Sequence, residues 1–441
     1  MATISKALEL QGLLKERYPM LMYNTIVNYS EILDVFNEAT NQKVYDGPDG
    51  KYYKLSDLYG GLQGIGSRLE NQFLPEGGTP LFLNPLVKLK YHYARVDFTW
   101  QAYSNAQGGE AAFADFGSSV LLPTVENLTD DLDRQACGFA SGILARVDDA
   151  SPDASLGIDA PFGLASNTKA WLNIKAGMKI VFSPNADGSG LRDGGTPATV
   201  TTVDPYANGG GGIAYLDALP AGVADNDYIF RGDAYGTSLG ANGEEAEMMG
   251  LEGMVDDGTV LDTLQNISRS TYAEWKSPVI DASAAPYSAA FTEGLALKMV
   301  TDARTIGGGR TDLIVCSHDV GRQAYNAIRQ LGGFGARRDD GQVKGGYKGV
   351  TFDTPLGSIE LRSVARVAPG RVYALDRSTF CKFKNGNGDW VDMFGGSIFH
   401  QQAVGGAIKD AGFAYYRVPL QLACTNPRRN VKATGVSESA Y

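Results

Sequence analysis

The stretch GFASGILARVDDA (residues 138–150) follows the clearest helical pattern in the chain and opens an apolar run. Its glycines and small residues admit three readings: a phosphate loop, an elbow presenting Ser141 as a nucleophile, or the end of a long helix. A P-loop needs G-x-x-x-x-G-K-[ST], and no lysine follows Gly142. A dinucleotide loop needs G-x-G-x-x-G after a strand, and this stretch follows a helix. A nucleophile elbow needs G-x-S-x-G between a strand and a helix, and GFASG has neither that spacing nor that order. The turn therefore reads as structural. Gly138 stops a helix, and residues 143–147 leave as a strand.

Working upstream, residues 109–137 predict the helix. Phe113, Phe116, Val120, Leu121, Val125, Leu128 and Leu132 recur as an apolar stripe, with Asp115, Glu126, Asp130, Asp131 and Asp133 mostly off it. Pro123 is expected to kink or divide it. Earlier still, LVKLKYHYARVDFTW (residues 86–100) reads as one extended strand, with a hairpin partner expected near Arg68 to Leu74. No local core covers such a hairpin, so a neighbour must. Residues 1 to about 40 read as short helical pieces. Ser5 caps one carrying Leu8, Leu13 and Leu14, which Pro19 ends, and Asn28 or Ser30 starts another around Ile32, Leu33 and Phe36. An arm packing on something else fits these pieces better than an independent domain.

Downstream, MKIVFS, ATVTTVD, GIAYLD and DYIFRGD give four short strands between residues 167 and 235, which suggests a small barrel inserted into a larger fold. Beyond Gly250 the pattern is mixed. A helix carries Phe291, Leu295, Met299 and Ala303 on one face and stops in TIGGGRTD, residues 305–312. TDLIVCS is a buried strand, Ser317 caps a helix through Leu331, and KGVTF, GSIELRSV, RVYALD and FCKF are strands. The order of these elements suggests an α+β or α/β unit, and α+β is the fold class that the family resemblance below implies.

The totals limit the function. The chain has 441 residues, 43% hydrophobic and 20% charged, enough for a substantial core and roughly three structural units. Its formal net charge of −11 suits an acidic surface rather than a nucleic-acid grip. The N-terminal stretch is interrupted by Lys6, Glu9, Lys15, Glu16 and Arg17, so it is not read as a signal peptide, and no apolar run is long enough to span a bilayer. Synthesis in the cytoplasm, with no membrane partner, is the expectation. Cys137, Cys316, Cys381 and Cys424 lie far apart and read as reduced, mostly buried thiols. His92, His318 and His400 form no metal-binding spacing, and Cys316 beside His318 reads as a core cysteine next to a surface histidine. The mixed-charge loop ARRDDGQVKGGYKG (residues 336–349) reads as solvated or as a subunit contact. No catalytic, cofactor-binding or metal-ligating residue is assigned, and no enzyme is expected.

An arm, a hairpin without a core, a long acidic helix, a β insertion and a mixed remainder make sense if neighbours supply the missing surfaces. In the order of its motifs the chain resembles the tailed-bacteriophage major capsid proteins of the Hong Kong 97 type fold. FADFGSSVLLPTVENLTDDLDRQACG followed by ASGILARVDD is similar to the family's spine helix and the turn after it. Residues 250–279 resemble its acidic link and R-S-T-x-x-x-W motif, here Arg269, Ser270, Thr271 and Trp275. GGRTDLIVCSHDVGRQAYNAI and GSIELRSVARVAPGRVYALDRSTF are similar to its axial-domain elements.

The resemblance implies an N-terminal arm (1–60), an extended loop hairpin (61–105), a peripheral domain with the spine helix (106–166), an inserted β-rich domain (167–235), an axial domain (236–380) and a return to the peripheral domain (381–441). It implies pentamers and hexamers of this chain in an icosahedral virion shell around double-stranded DNA held without sequence-specific binding, with portal, scaffolding and decoration proteins as further partners. The hairpin and arm would lie on neighbouring subunits. An acidic inner wall would avoid trapping the packaged DNA. Two rivals are an encapsulin-like compartment shell and a β-rich carbohydrate-binding protein using Trp171, Tyr206 and Tyr215.

Overall fold

The structure is a computed structural model. It describes residues 26, 30–39, 44–47, 50–55, 57–58, 65–78, 81–99, 101, 122–162, 169–233, 236–237, 247–330, 350–354, 357–386, 388–392, 400–404 and 407–438. The chain is α+β, with three sheet bodies packed around one long helix.

That helix is Leu122–Cys137. Val125, Leu128, Leu132 and Ala136, spaced by three and four, form its buried face. Pro123 sits in the first turn of the described helix, where a missing N–H costs nothing. Phe113, Phe116, Val120 and Leu121 lie outside the described residues. Gly138 ends the helix, its N–H donating to the Gln135 carbonyl at 3.0 Å. Ala140 and Gly142 then take positive φ, 63° and 72°, and turn the chain into the strand Ile143–Val147.

This strand opens a ring. Ile143–Val147, Ser155–Asp159, Ile213–Leu216, Ala198–Asp204, Lys179–Ser183 and Tyr228–Asp233 pair antiparallel in that cyclic order, the last returning to the first. All four strands read from the sequence downstream of residue 167 are present. Closure also recruits residues 143–147 and 155–159, upstream of the 167 boundary. Closing the ring leaves no exposed edge and encloses Leu144, Leu156, Ile158, Ile180, Phe182 and Ile229.

A second sheet is organised by the 18-residue strand Ala407–Cys424. Along it lie Lys90–Phe98, Phe380–Lys384, Asp389–Trp390 and His400–Val404. Asn37–Glu38 adds in parallel to Phe380–Lys384. The sequence pattern at 86–100 is strand, as predicted, but it is two strands, Leu86–Lys88 and Lys90–Phe98, and its partner is different. Lys90–Phe98 pairs with residues 412–420, and Leu86–Lys88 pairs with Gly50–Lys54. Nothing pairs with residues 68–74, which are not strand. Alternation marks a half-buried strand but does not name its partner. Here the partner is more than 300 residues away, and it covers His92, Ala94 and Val96 inside the chain's own core.

The arm is corrected in the same way. Ile32, Leu33, Val35 and Phe36 are buried against this chain's own core, with Phe36 edge-on to Phe380 at 5.6 Å. Residues 31–36 are turns and bends rather than helix. Ser30 does cap them, accepting from Leu33 N at 2.8 Å, and its hydroxyl donates to Asp133 of the long helix. The pieces read before residue 26 lie outside the described residues.

The third sheet is mixed, in the order Val279–Asp281, Val431–Thr434, Val372–Leu375, Leu313–Cys316, Gly357–Ser363 and Val350–Thr354. The helices Glu293–Gly307 and His318–Gln330 belong to this body. Thr292 caps the first by accepting from Leu295 N at 3.3 Å. Gly308, at φ 67°, stops it, because a left-handed residue there costs glycine nothing. Phe291, Leu295, Met299 and Ala303 are buried as expected. The strand Val431–Thr434 belongs to this sheet, so the last segment divides between two bodies.

Candidate assembly surfaces

Of the polar groups singled out in the sequence, Arg269, His92, His400 and Asp133 are buried, whereas Ser270, Thr271, His318 and Glu126 are exposed. Segment 247–255 crosses the end of the long helix so closely that a Cβ on Gly250 would lie 2.2 Å from the Gln135 carbonyl oxygen and 2.6 Å from that of Gly138. Gly253 N donates to the Gly138 carbonyl at 3.3 Å. The GFASG turn thus seats backbone from elsewhere in the chain.

Arg269, first residue of the R-S-T-x-x-x-W motif, is fully buried. Its guanidinium donates to the carbonyls of Leu261 (2.7 Å), Gly253 (2.9 Å), Met254 (2.9 Å) and Trp275 (3.3 Å). Trp275 is buried beside it and donates from Nε1 to the Leu264 carbonyl at 3.3 Å. Ser270 N donates to Asp262 at 2.8 Å. Next to this knot Lys432, also buried, reaches Asp256 at 2.7 Å and Glu252 at 3.2 Å. Burial pushes the Asp256 carboxyl up, but Lys432 and the backbone N–H groups of Leu261 and Val260 outweigh it and hold it below the usual range. Burial, then Glu252, raises the Tyr373 hydroxyl well above its ordinary value. These groups fasten the third sheet to the long-helix body. The motif residues are legible in the sequence. Lys432, which reaches Glu252 and Asp256 from far along the chain, is not.

The histidines and cysteines are separate. Burial lowers His92 to about 4, so it is neutral. Cys316 is buried while His318 is exposed, as expected. Burial pushes the thiols of Cys316 and Cys424 up to about 12, which removes thiolate chemistry near neutrality. Among the described residues no group of three or more His, Cys, Asp or Glu side chains is placed to hold a metal, and no helix is long and apolar enough to cross a membrane. Residues 336–349 lie outside the described residues.

Two surfaces are unlike the rest. Among the described residues segment 65–78 has no sheet partner, and its hydrogen bonds are local: Arg68 Nε donates to the Phe73 carbonyl at 3.0 Å, and Gln72 N to the Leu69 carbonyl at 3.2 Å. It presents Ile65, Leu69, Phe73 and Leu74 at 85, 77, 96 and 83% exposure, and Leu81 and Phe82 continue the apolar stretch. Large apolar side chains exposed together on one short segment suit an interaction site. The second surface is the outward face of the pair Lys90–Phe98 and Ala407–Cys424. Tyr91, Tyr93 and Arg95 stand there, with Arg95 over the Phe413 ring at 4.8 Å and Arg417 over the Tyr91 ring at 5.7 Å. Asp97 and Asp389 neutralise these arginines. Tyrosine, phenylalanine and arginine are the side chains enriched at protein interfaces. On the barrel, Trp171 packs against the core while Tyr206 is exposed and Tyr215 borders on it.

The barrel is seated by ion pairs. Lys169 meets Asp319 at 2.6 Å, Lys175 meets Asp130 at 2.5 Å, and Arg231 meets Asp131 at 3.2 Å.

No protein-family model matches the sequence, and no curated protein matches it. Among solved structures the chain is similar to the cyanophage A-1(L) capsid asymmetric unit, at 10% identity and TM-score 0.47 over 97% of this chain and 93% of that one. It is similar to the capsid of the native GTA particle at 8% identity and TM-score 0.42, over 92% and 90% of the two chains. The encapsulin of the holo-SrpI complex from Synechococcus elongatus is matched at 7% identity and TM-score 0.39, over 93% and 88%.

Proposed function

We propose that this chain is a tailed-phage major capsid protein of the Hong Kong 97 type, a non-enzymatic subunit that self-assembles as pentamers and hexamers into the head shell around double-stranded DNA. The observation that carries this is segment 65–78. A folded subunit that keeps four large apolar side chains in water on a segment with no sheet partner gains by covering them with another copy. The same chain carries a distinct aromatic and arginine face, and segment 65–78 meeting that face on another copy would make a head-to-tail contact, the kind that builds rings when the rotation between copies closes. The ordered motifs from the long helix to the strands before Phe380 support the same reading.

On this reading the third sheet and its helices form the axial domain, the Ala407–Cys424 sheet with the long helix forms the peripheral domain, and residues 65–78 are the described part of the extended loop. The test is electron microscopy of the purified chain. Closed shells or five- and six-membered rings are expected, and monomers at high concentration, with and without a co-expressed scaffold, would overturn the reading. Particles from the native source containing protein cargo instead of double-stranded DNA would move the assignment to a compartment shell.

A further inference from the structure

The glycine stop of the helix Glu293–Gly307 gathers the arginines of an acidic chain. Arg304 and Arg310, on either side of it, are exposed. The turn Pro427–Arg429 packs so tightly under it that a Cβ on Gly307 would lie 2.2 Å from the Arg428 carbonyl oxygen, and one on Gly309 would lie 2.6 Å from that of Arg429. Arg304 and Arg310 on the loop, and Arg428 and Arg429 on the turn under it, thus lie within one short stretch of backbone contact.

Little carboxylate opposes them. Arg428 donates to the Ile306 carbonyl at 3.1 and 2.7 Å, and Arg304 leans on the Gly308 carbonyl at 3.5 Å, so both are held by neutral oxygens. Among the described residues neither Arg304, Arg310 nor Arg428 pairs with an acid. Arg429 lies 3.9 Å from Asp376, which is buried and already accepts from Arg310 N and from Ser378. Asp302 is engaged by Lys298 at 2.5 Å. Glu274, on the adjoining turn Ala273–Trp275, is exposed and is followed by Lys276.

We propose that this loop, with Arg304, Arg310, Arg428 and Arg429, is where the chain contacts the phosphate backbone of double-stranded DNA. The proposal rests on the shell reading above for the presence of a duplex. A second protein copy fits the patch less well. A protein interface needs an aromatic or aliphatic anchor at its centre, and the patch offers Ile306 alone. Unneutralised arginines around a loop of bare glycines suit a phosphate ridge. The four side chains of the patch are all arginines, which suit phosphate oxygens whatever the base sequence. An acidic chain with one such patch touches the duplex locally and releases it elsewhere, which refines the expectation of a wholly non-adhesive wall.

The test is fluorescence anisotropy of the full chain with a short duplex of arbitrary sequence across a salt series. Contact with three to four phosphates gives a slope of log K against log salt of about −3 to −4. The double variant R304Q/R310Q removes two charges from exposed positions and should bring the slope to about −2 and weaken binding roughly tenfold or more at low salt. R304K/R310K should keep most of both. Absence of salt-dependent binding by the wild type, or an unchanged slope in R304Q/R310Q, overturns the proposal. Electron microscopy of the same samples separates the two readings. Shells from R304Q/R310Q with lost DNA affinity are expected. Wild-type shells that do not bind the duplex, with assembly lost in the variant, would make the patch a contact between copies, overturning this proposal and sparing the shell.

Discussion

Replacing Leu69 and Phe73 together by aspartate tests the assembly surface most directly. The two side chains are 77 and 96% exposed in the single chain, so their removal takes almost nothing from its own core. The monomer should keep its thermal midpoint, because a surface change of this kind moves stability within about ±0.5 kcal/mol. Assembly should respond strongly. Covering Ile65, Leu69, Phe73 and Leu74 contributes roughly 1.5–3 kcal/mol each, so about 6–12 kcal/mol of apolar contact per subunit. Removing two of the four forfeits about 3–6 kcal/mol, which is roughly two to four orders of magnitude in association constant. Two carboxylates would also have to leave water. The assay pairs scanning calorimetry with sedimentation of the assembled fraction against concentration. Unchanged melting with assembly abolished is the expected pair. Assembly at the wild-type concentration, or a monomer melting several degrees lower, would refute the reasoning, since the segment would then be idle or part of the subunit's own core.

Three further outcomes follow from the interior. Lys432→Met leaves Glu252 and Asp256 buried with one cation fewer and should cost about 3–5 kcal/mol in denaturant unfolding. Gly250→Ala forces a methyl into two backbone carbonyls and should cost at least about 1–3 kcal/mol, whereas Gly77→Ala, with open space around it, should be close to neutral by the same measurement. Asp133, raised by burial to about 6 from an ordinary 3.8, takes up a proton in the folded state before the unfolded one, so its burden is full above pH 6 and disappears as pH falls toward 3.8. Unfolding measured across that window should show Asp133→Asn more stable than wild type by up to about 3 kcal/mol near neutral pH, with the difference vanishing in acid.

The long helix, the barrel strands and the helix-flanked sheet were legible because each carries a local signal: an apolar period near three and a half, an alternation of two, or a glycine where a helix must stop. The exposed segment was harder to read. Its apolar residues are visible, but the local pattern assigns them to a hairpin with residues 86–100. That strand instead has Ala407–Cys424 to cover it, which leaves residues 65–78 without a partner. The unpartnered surface is real, and it lies one element upstream of where alternation put it.

By itself, then, the sequence determined the long helix, the four barrel strands after residue 167, the helix and strands of the third sheet that carry a local pattern, and the structural nature of the 138–150 turn, since these follow from side-chain period and backbone preference within a few residues. Tertiary structure alone decided which strands pair, that residues 143–147 and 155–159 close the barrel, that residues 32–36 pack on their own chain, and that Lys432 meets Glu252 and Asp256. Those outcomes depend on burying surface between residues tens to hundreds of positions apart, a free energy that no local window of the chain contains.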